Sequence, residues 1–240
     1  MRTAAKAARK AAGRQRVAGP GRPGTLQSTS GILDVAERLV QVRGYNGFSY
    51  ADIAAELRVT KASLHYHFAT KAELGRALIE RYSTGFARAL ADIDGQYADP
   101  CVKLQRYVML YEAVIRSDRM CLCGMLAAEV TTLPLPMQRR LNAYFDANEA
   151  WLTRVLHAGR TLRKMSFTGS ATERARGMIG TLEGAMLVAR MYGDARRFSA
   201  VANQAVASVC LYCAEVLREP DGPARPGKPR RARTRPRDPR

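Results

Sequence analysis

The stretch SYADIAAELRVTKASLHYHF, residues 49–68, decides the fold. Ser49 is a typical helix N-cap with an acid three positions later, and apolar residues follow it at helical spacing. After a short turn, Thr60 can cap a second helix that runs from Lys61 to about His67. Two short helices joined by a turn of about three residues are typical of a helix-turn-helix, whose second helix enters the major groove of DNA.

The second of these helices is rich in polar side chains. Its hydrogen-bonding residues are Lys61, Ser63, His65, Tyr66 and His67. Only Leu64 and Phe68 remain as clear apolar anchors for a core. A helix with so little to bury is suited to a polar partner such as DNA, although Tyr66 could instead pack on a neighbouring helix and His67 could only solvate the helix end.

The rest of the central chain also predicts helices. Apolar residues recur every three to four positions from Ile32 to Val40, and no stretch alternates as a half-buried strand does. Capping sequences that begin further helices occur at Thr70, Asp99 and Ser170. The last helix is predicted to end near Arg218. The sequence therefore predicts an all-α protein of about nine helices.

The two ends of the chain differ from this middle in composition. Residues 1–28 carry seven basic side chains and no acid, and residues 219–240 carry eight basic side chains among repeated prolines. Both ends are predicted to be disordered, because they lack a sustained apolar face and proline breaks helices. With a net charge of +18, the chain is expected to attract polyanions such as nucleic acid, although the basic ends could only aid solubility. The arm residues that could enter a minor groove are Arg14, Arg16 and Arg22.

Composition also bounds the location of the protein. No run approaches the ~18 apolar residues of a membrane span, and the basic start lacks the apolar centre of a secretory signal. The cysteines number five, which is odd, and without an export signal reduced thiols are expected. A cytoplasmic protein is therefore predicted.

Nothing in the sequence indicates an enzyme, a metal site or a cofactor. His157 stands alone on a predicted long helix, and neither a phosphate-binding glycine loop nor a nucleophile elbow is present. Cys210 and Cys213 have the spacing of a metal-binding pair, but they are predicted to lie within a helix without a second pair nearby. Packing is the favoured interpretation of that pair.

Four stretches around the first helices form a recognisable set. They are Gly44-Tyr-Asn-Gly-Phe48, Asp52-Ile-Ala54, Val59-Thr-Lys-Ala-Ser-Leu-His-Tyr-His-Phe68 and Thr70-Lys-Ala-Glu-Leu74. In this order they closely resemble the TetR family of transcriptional regulators, over about residues 29–90. Two departures are Arg58, where the family usually has a glycine, and His65, where a tyrosine is common. The first suggests an altered turn, and the second bears on which bases are recognised.

The resemblance implies that two parts of the chain have different functions. Residues 29–90 would be the DNA-binding domain and residues 95–218 the ligand-binding and dimerisation domain. The side chains expected to face phosphates are Ser49, Thr60, Lys61, Tyr66, His67 and Lys71. Those expected to face base edges are Ala62, Ser63 and His65. Lys71 also opens the next helix, whose first amides can face a phosphate.

The larger C-terminal part contains a run of glycines in a predicted helix. Gly177, Gly180 and Gly184 recur at helical spacing, although glycine costs ~1 kcal/mol in a helix relative to alanine. Another backbone is therefore expected to pass close by, either in a second subunit or in the same chain. A homodimer would present two recognition helices ~34–36 Å apart to a pseudo-palindromic operator.

Residues 120–129, MCLCGMLAAE, form a second informative stretch. Their Cys-Leu-x-Gly-x-Leu-Ala-x-Glu pattern resembles a subset of the family, some members of which respond to reactive electrophiles or oxidants through cysteine. Cys121 and Cys123 are the expected sensors, because a helix N-terminus and the nearby Arg116 and Arg119 would lower a thiol pKa. The alternative is that both cysteines are small buried apolar residues.

Together these features predict a homodimeric repressor that binds double-stranded operator DNA and is released by a small-molecule effector or a reactive electrophile. The effector would bind in the C-terminal domain and shift the fourth helix, which changes the spacing of the recognition helices. An activator, or a regulator without a small effector, would have the same fold. A different class is an architectural nucleic-acid-binding protein that depends on its basic ends. An enzyme on a helical scaffold is the remaining alternative, and no site for one is visible.

Overall fold

The computed structural model describes residues 29–211, and within that range the chain forms nine α-helices and no β-strand. The helices are α1 (Thr29–Arg43), α2 (Tyr50–Leu57), α3 (Lys61–His67), α4 (Lys71–Gln96), α5 (Pro100–Ile115), α6 (Leu122–Ala128), α7 (Leu135–Thr161), α8 (Ala171–Met191) and α9 (Ala195–Ala207). The predicted all-α fold of about nine helices is confirmed. The predicted disordered ends, residues 1–28 and 219–240, and Cys213 lie outside the described residues.

The helices begin where the sequence places their caps. Ser49 and Ser170 each form a complete capping box with the acid three residues later. At Thr70 the hydroxyl accepts the backbone N–H of Glu73 at 3.2 Å, but the Glu73 carboxylate accepts the N–H of Ala69 at 3.0 Å. The helix therefore begins where predicted. The Glu73 carboxylate, however, binds the backbone N–H of Ala69, which precedes the N-cap, instead of that of the N-cap itself.

The predicted end of the last helix near Arg218 is wrong. α9 ends at Ala207, and the chain then makes an antiparallel bridge between Met165 and Cys210. Cys210 consequently does not lie within a helix, as the sequence pattern suggested. Met165 precedes α8 in the chain and Cys210 follows α9. Local periodicity therefore carries no information about this pairing.

A continuous hydrophobic core joins the helices. The stripe predicted on α1 is buried and consists of Ile32, Val35, Ala36, Leu39 and Val40. α4 runs from the helix-turn-helix into the larger half, where it packs along α7, and α8 packs along both α7 and α9. None of the described helices is long and apolar enough to cross a membrane. α4 is thus the continuous element shared by the two halves.

Candidate DNA-binding surface and ligand cavity

The turn between α2 and α3 contains an arginine in the left-handed conformation. Arg58 has φ 55° and ψ 42°, and its N–H donates to the carbonyl of Ala55 at 3.3 Å. This conformation favours glycine and costs another residue roughly 1–2 kcal/mol. The suggestion of an altered turn is therefore not supported, because the arginine adopts the geometry that a glycine would adopt with less strain.

α3 presents most of its polar side chains to solvent. Its N-cap hydroxyl, from Thr60, accepts the backbone N–H of Ser63 at 3.2 Å. Leu64 is buried within the helix, whereas Tyr66 is 82% exposed. The other exposed side chains of α3 are Lys61, Ala62 and His65. This face is free for contact with a partner, and its polarity suits the grooves and phosphates of DNA.

The two histidines of α3 have different surroundings. The exposed His65 ring lies 4.6 Å from the Tyr50 ring, and its Nδ1 is 3.1 Å from the carbonyl oxygen of Ala69. Because a carbonyl can only accept, Nδ1 carries the proton and Nε2 remains available. His67 is half-buried, with Nδ1 3.2 Å from the Thr29 hydroxyl and with Nε2 buried. His67 therefore connects α3 to the start of α1.

Lys71 points back into the protein. Its ammonium donates hydrogen bonds to the carbonyls of Tyr45 and Phe48, and it lies 4.6 Å and 4.2 Å from the centroids of their two rings. Burial lowers the pKa of Lys71, while the charge of Glu129 opposes that effect. The ammonium therefore fixes the turn between α1 and α2, immediately before the Ser49 cap.

The structure brings several predicted DNA contacts to one cleft. The cleft has a volume of about 340 Å³ and lies beside the N-terminus of α2. It is lined by Phe48, Ser49, Tyr50, Ala51, Lys61, His65 and Lys71. Hydroxyl, ammonium and imidazole groups thus lie around the start of α2, where the positive end of the helix dipole favours an anion.

A second cavity lies in the larger half and has a volume of about 360 Å³. Its lining is mostly apolar and includes Tyr82, Phe86, Leu110, Tyr111, Cys121 and Met186. The polar part of the lining is an ion pair between Arg81 and Glu37, with a nitrogen–oxygen distance of 2.5 Å. An apolar pocket with a few polar groups is the usual form of a small-molecule site.

The two cysteines of residues 120–129 are buried, and only Cys121 lines the cavity. Its sulfur accepts the N–H of Gly124 at 3.4 Å, and the hydroxyls of Tyr82 and Tyr144 lie 3.8 Å and 3.9 Å away. Burial raises the pKa of both thiols well above the ordinary value, with desolvation as the largest cause. The expected lowering of these pKa values is therefore wrong, because desolvation outweighs the helix N-terminus.

The arginines expected to assist these thiols are not among the main causes of the thiol pKa shifts. Arg116 is exposed and lies 3.8 Å from the carboxylate of Glu112, one turn earlier on the same chain. Neither Arg116 nor Arg119 is among the groups that shift the Cys121 pKa. Their closeness in sequence does not bring their charges to the sulfur.

The glycines of α8 lie on an open face of the described chain. A Cβ atom built at Gly177, Gly180 or Gly184 would meet no atom within 4 Å. The alternative that these glycines admit another backbone of the same chain is therefore not supported for residues 29–211. Large apolar side chains nearby are also exposed, and they are Leu187, Val188, Met191, Tyr192 and Val201.

Two residues that the sequence does not single out connect the two halves. The Glu129 carboxylate, at the C-cap of α6, accepts the backbone N–H groups of Tyr45 and Asn46 at 2.8 Å and 3.1 Å. Arg190 of α8 donates to the carbonyls of Gln41 and Val42 at the end of α1. The quoted motif includes Glu129, but nothing in the sequence pairs Glu129 or Arg190 with the end of α1.

A further missed residue is Glu183 of α8, whose carboxyl lies against α6. Burial raises the pKa of Glu183 to about 7, and the interaction with the Cys121 thiol lowers it slightly. Glutamate in the middle of a helix is usually a solvated residue, so the sequence held no sign of this environment. The side chain becomes notable only through the packing of α8 on α6.

Comparisons with known proteins agree with this architecture. Residues 32–78 match the family model described as bacterial regulatory proteins, tetR family. Among solved structures, a TetR-family transcriptional regulator from Agrobacterium tumefaciens is 33% identical, with a TM-score of 0.73, and the match covers 75% of this chain and 96% of that one. A TetR transcriptional regulator from Legionella pneumophila is 32% identical, with a TM-score of 0.69, and 78% and 100% are covered.

A curated relative matches a shorter part of the chain. The transcriptional regulator AcuR from Cereibacter sphaeroides is 39% identical over 97 residues, which is 38% of this chain and 44% of that protein. The match thus spans less than half the length of that relative. The two solved structures are similar over nearly their whole length.

Proposed function

The chain belongs to the TetR family of bacterial regulatory proteins, and from that premise we propose that it is a homodimeric repressor which leaves its operator when an effector binds. The family is one of DNA-binding transcriptional regulators, which are not enzymes. The observation that carries the proposal is the exposed polar face of α3 beside the cleft at the start of α2. Residues 29–90 bind DNA, and residues 95–218 bind ligand and dimerise.

DNA contacts follow from the exposure of each side chain. Lys61 and Tyr66 are exposed and bind phosphates, together with the hydroxyls of Ser49 and Thr60 at the two helix starts. The side chains that face base edges are Ala62, Ser63 and His65. His65 offers Nε2 to a base because its Nδ1 is already bound to a backbone carbonyl.

Lys71 and His67 support the DNA-binding surface from behind it. Lys71 binds the carbonyls of the turn that precedes α2 and thereby fixes the Ser49 end of that helix. Its contribution to phosphate binding is made through the position of Ser49. His67 connects α3 to Thr29 at the start of α1. Both residues thereby fix the angle at which α2 and α3 meet DNA, in addition to any direct phosphate contact.

A homodimer forms through α8 and α9. The exposed apolar side chains there form a patch that a partner would cover, as exposed patches of this kind usually mark interaction sites. The open glycine face of α8 lets a second backbone approach closely. A two-fold arrangement then places two copies of α3 ~34–36 Å apart, which requires a pseudo-palindromic operator.

The effector is a small, largely apolar molecule that enters the cavity of about 360 Å³. Tyr82 and Phe86 of α4 line this cavity, and the same helix begins at Lys71. A shift of α4 on effector binding changes the spacing of the two recognition helices. Cys121 and Cys123 make a reactive electrophile one class of effector, as in the subset with a similar cysteine motif. The protein acts in the cytoplasm, where its operator DNA is.

The test combines selection of bound DNA fragments with two variants. Lys61→Ala and Tyr66→Ala are each expected to weaken operator binding at least tenfold, because each change removes one contact per subunit. Lys61→Ala should also reduce the salt dependence of binding by about one charge per subunit. Arg154→Ala removes an exposed charge from α7 and should leave affinity unchanged. Thermal unfolding checks that each variant is folded.

Three results would contradict the proposal. Unchanged affinity in both variants overturns α3 as the recognition helix. Selected fragments without a palindrome overturn the dimeric mode of binding. Equal affinity for all fragments, lost on removal of the basic ends, favours the architectural alternative instead.

A further inference from the structure

Cys121 lines the cavity of about 360 Å³, and the carboxyl of Glu183 is buried against the same helix, α6. We propose that Glu183 accepts the proton of the Cys121 thiol when an α,β-unsaturated carbonyl compound enters the cavity, so that the two residues form a covalent capture site. This inference rests on the proposed effector response and adds a residue from another helix to it. Glu183 is the general base, and Cys121 is the nucleophile.

The backbone of α6 is shaped to admit this carboxyl. A Cβ atom at Gly124 would lie 2.2 Å from Oε2 and 2.9 Å from Cδ of Glu183, so a larger residue there would displace the carboxyl group. The N–H of the same glycine donates to the Cys121 sulfur at 3.4 Å. Gly124 therefore contacts both the acid and the thiol, so both groups meet at the same residue of α6.

The carboxyl is short of hydrogen-bond partners within the described part of the chain. Oε1 of Glu183 is buried and has no partner there. The groups that face the acid and its cysteine from the neighbouring helices are Tyr82 of α4, Tyr107 and Tyr111 of α5, Cys123 of α6 and Tyr144 of α7. These groups are neutral at pH 7, and the charged groups of the cavity lining, Arg81 of α4 and Glu37 of α1, are paired with each other. When the sulfur bonds to the electrophile as Glu183 takes the proton, the negative charge passes from the buried carboxylate to the enolate oxygen of the electrophile.

The thiol needs such a base to react. The thiolate is the nucleophilic form of cysteine, and burial raises the pKa of Cys121 far above neutrality. The pKa of Glu183 is raised to about 7, so a large share of the carboxyl is ionised at neutral pH. A base with a pKa near the working pH is well matched to general-base catalysis.

The reaction balances without any other reagent. The S–H proton moves to a carboxylate oxygen of Glu183 as the sulfur electron pair forms a bond to the β-carbon of the alkene. The alkene π pair moves toward the carbonyl and gives an enolate, and the Glu183 proton then passes to the α-carbon. The net change is addition of the S–H bond across the C=C bond. The hydroxyl of Tyr82, 3.8 Å from the sulfur, helps to orient it.

The experiment uses the full chain and N-ethylmaleimide, an α,β-unsaturated dicarbonyl compound, with the adduct at each cysteine measured by peptide mass spectrometry. In the wild type, the labelling rate of Cys121 is expected to rise as Glu183 ionises and to level off above pH 8. Glu183→Gln should lower that rate at least tenfold at pH 7.5, and Glu183→Asp should give an intermediate rate. Cys101 of α5, which lies outside the cavity lining, is the internal reference and should be unaffected.

Two results would overturn the pair. One is an unchanged Cys121 labelling rate in Glu183→Gln. The other is a wild-type rate that keeps rising tenfold per pH unit through pH 9, as an unassisted thiol does. If Glu183→Gln fails to fold, as judged by its thermal transition, the wild-type pH profile alone decides.

Operator binding measured on the same samples separates this inference from the proposed function. Labelling that depends on Glu183 but leaves DNA bound would support the pair and overturn electrophile release. Release of DNA that proceeds with undiminished labelling in Glu183→Gln would overturn the pair and leave the effector response intact.

Discussion

Two helices of the same length have opposite surroundings in this protein. α3 and α6 both span seven residues, but α3 buries only Leu64 whereas α6 buries Leu122, Cys123 and Leu126. α3 displays its polar groups to solvent, while α6 lies in the core beside the cavity. The difference teaches that a helix suited to a polar partner keeps its polar groups in solvent, whereas a helix beside a cavity is held by buried apolar and thiol side chains.

Their end residues extend the contrast. α3 is capped by a hydroxyl, from Thr60, and α6 by the thiol of Cys121. A seven-residue helix is about 10 Å long, so α6 carries Cys121 at the cavity and Glu129 at the other end, against the turn between α1 and α2. α6 therefore connects the cavity to the half that contains the helix-turn-helix, and α4 provides a second, longer connection.

The largest effect expected from this contrast is on stability. Leu122→Ala should lower the free energy of unfolding by about 3 kcal/mol, because it leaves a cavity at a fully buried position of α6. Tyr66→Ala in α3 should change it by no more than about 0.5 kcal/mol, because that side chain is exposed. Urea denaturation at one fixed protein concentration measures both. A larger loss for Tyr66→Ala would break the comparison.

The second effect is a gain of stability that depends on pH. It is expected when Glu183, which packs against α6, is replaced by the neutral glutamine. The pKa of Glu183 is about 7 in the folded chain against an ordinary value of 4.5, so the native state binds the proton more tightly and loses stability as pH rises from about 4.5 to 7. Glu183→Gln should therefore be more stable by about 2 kcal/mol at pH 8, with allowance for partial exposure, and equal to the wild type near pH 4.

Thermal or urea unfolding of both proteins from pH 4 to pH 8 measures this difference. The matched change Glu173→Gln alters an exposed acid of the same helix, whose pKa is lowered by its capping contacts with Ser170. That variant should lose stability at pH 8 rather than gain it. A Glu183→Gln protein less stable than the wild type at pH 8 would contradict a desolvated carboxyl.

The smallest effect tests whether α6 communicates with α3. Glu129→Gln keeps one acceptor for the backbone of Tyr45 and Asn46 but removes the charge, which should cost about 1 kcal/mol and weaken operator binding about fivefold. Equilibrium binding to the selected operator measures it. Glu149→Gln removes an ion pair between α7 and Arg176 of α8 and should leave affinity unchanged. Equal affinities for wild type and Glu129→Gln would show that the contact between α6 and the turn after α1 does not affect operator binding.

Much of the fold could be predicted because its determinants are local. The buried stripe of α1 and the capping boxes at Ser49 and Ser170 depend on residues within a turn or two of one another. The end of α9 could not be predicted, because a bridge to Met165 determines it. The candidate DNA-binding surface was visible for a similar reason, since a helix exposed to solvent reveals its function through its own composition.

The cavity site was only half visible. Cys121 could be named from the sequence, but the direction of its pKa shift was predicted wrongly, because desolvation depends on how other helices pack around the sulfur. Lys71 and His67 could likewise be placed near the DNA-binding surface, but not their inward orientation.

The sequence by itself determined the helices, their starts and the polar face of α3, because periodicity and capping act over a few residues. Only the tertiary structure decided which charged groups leave water. Lys71 lies on the turn carbonyls, Glu129 binds the backbone of the DNA-binding half, and Glu183 lies beside Cys121. Burial and pairing join residues that are distant in sequence, so these environments arise only when the helices pack.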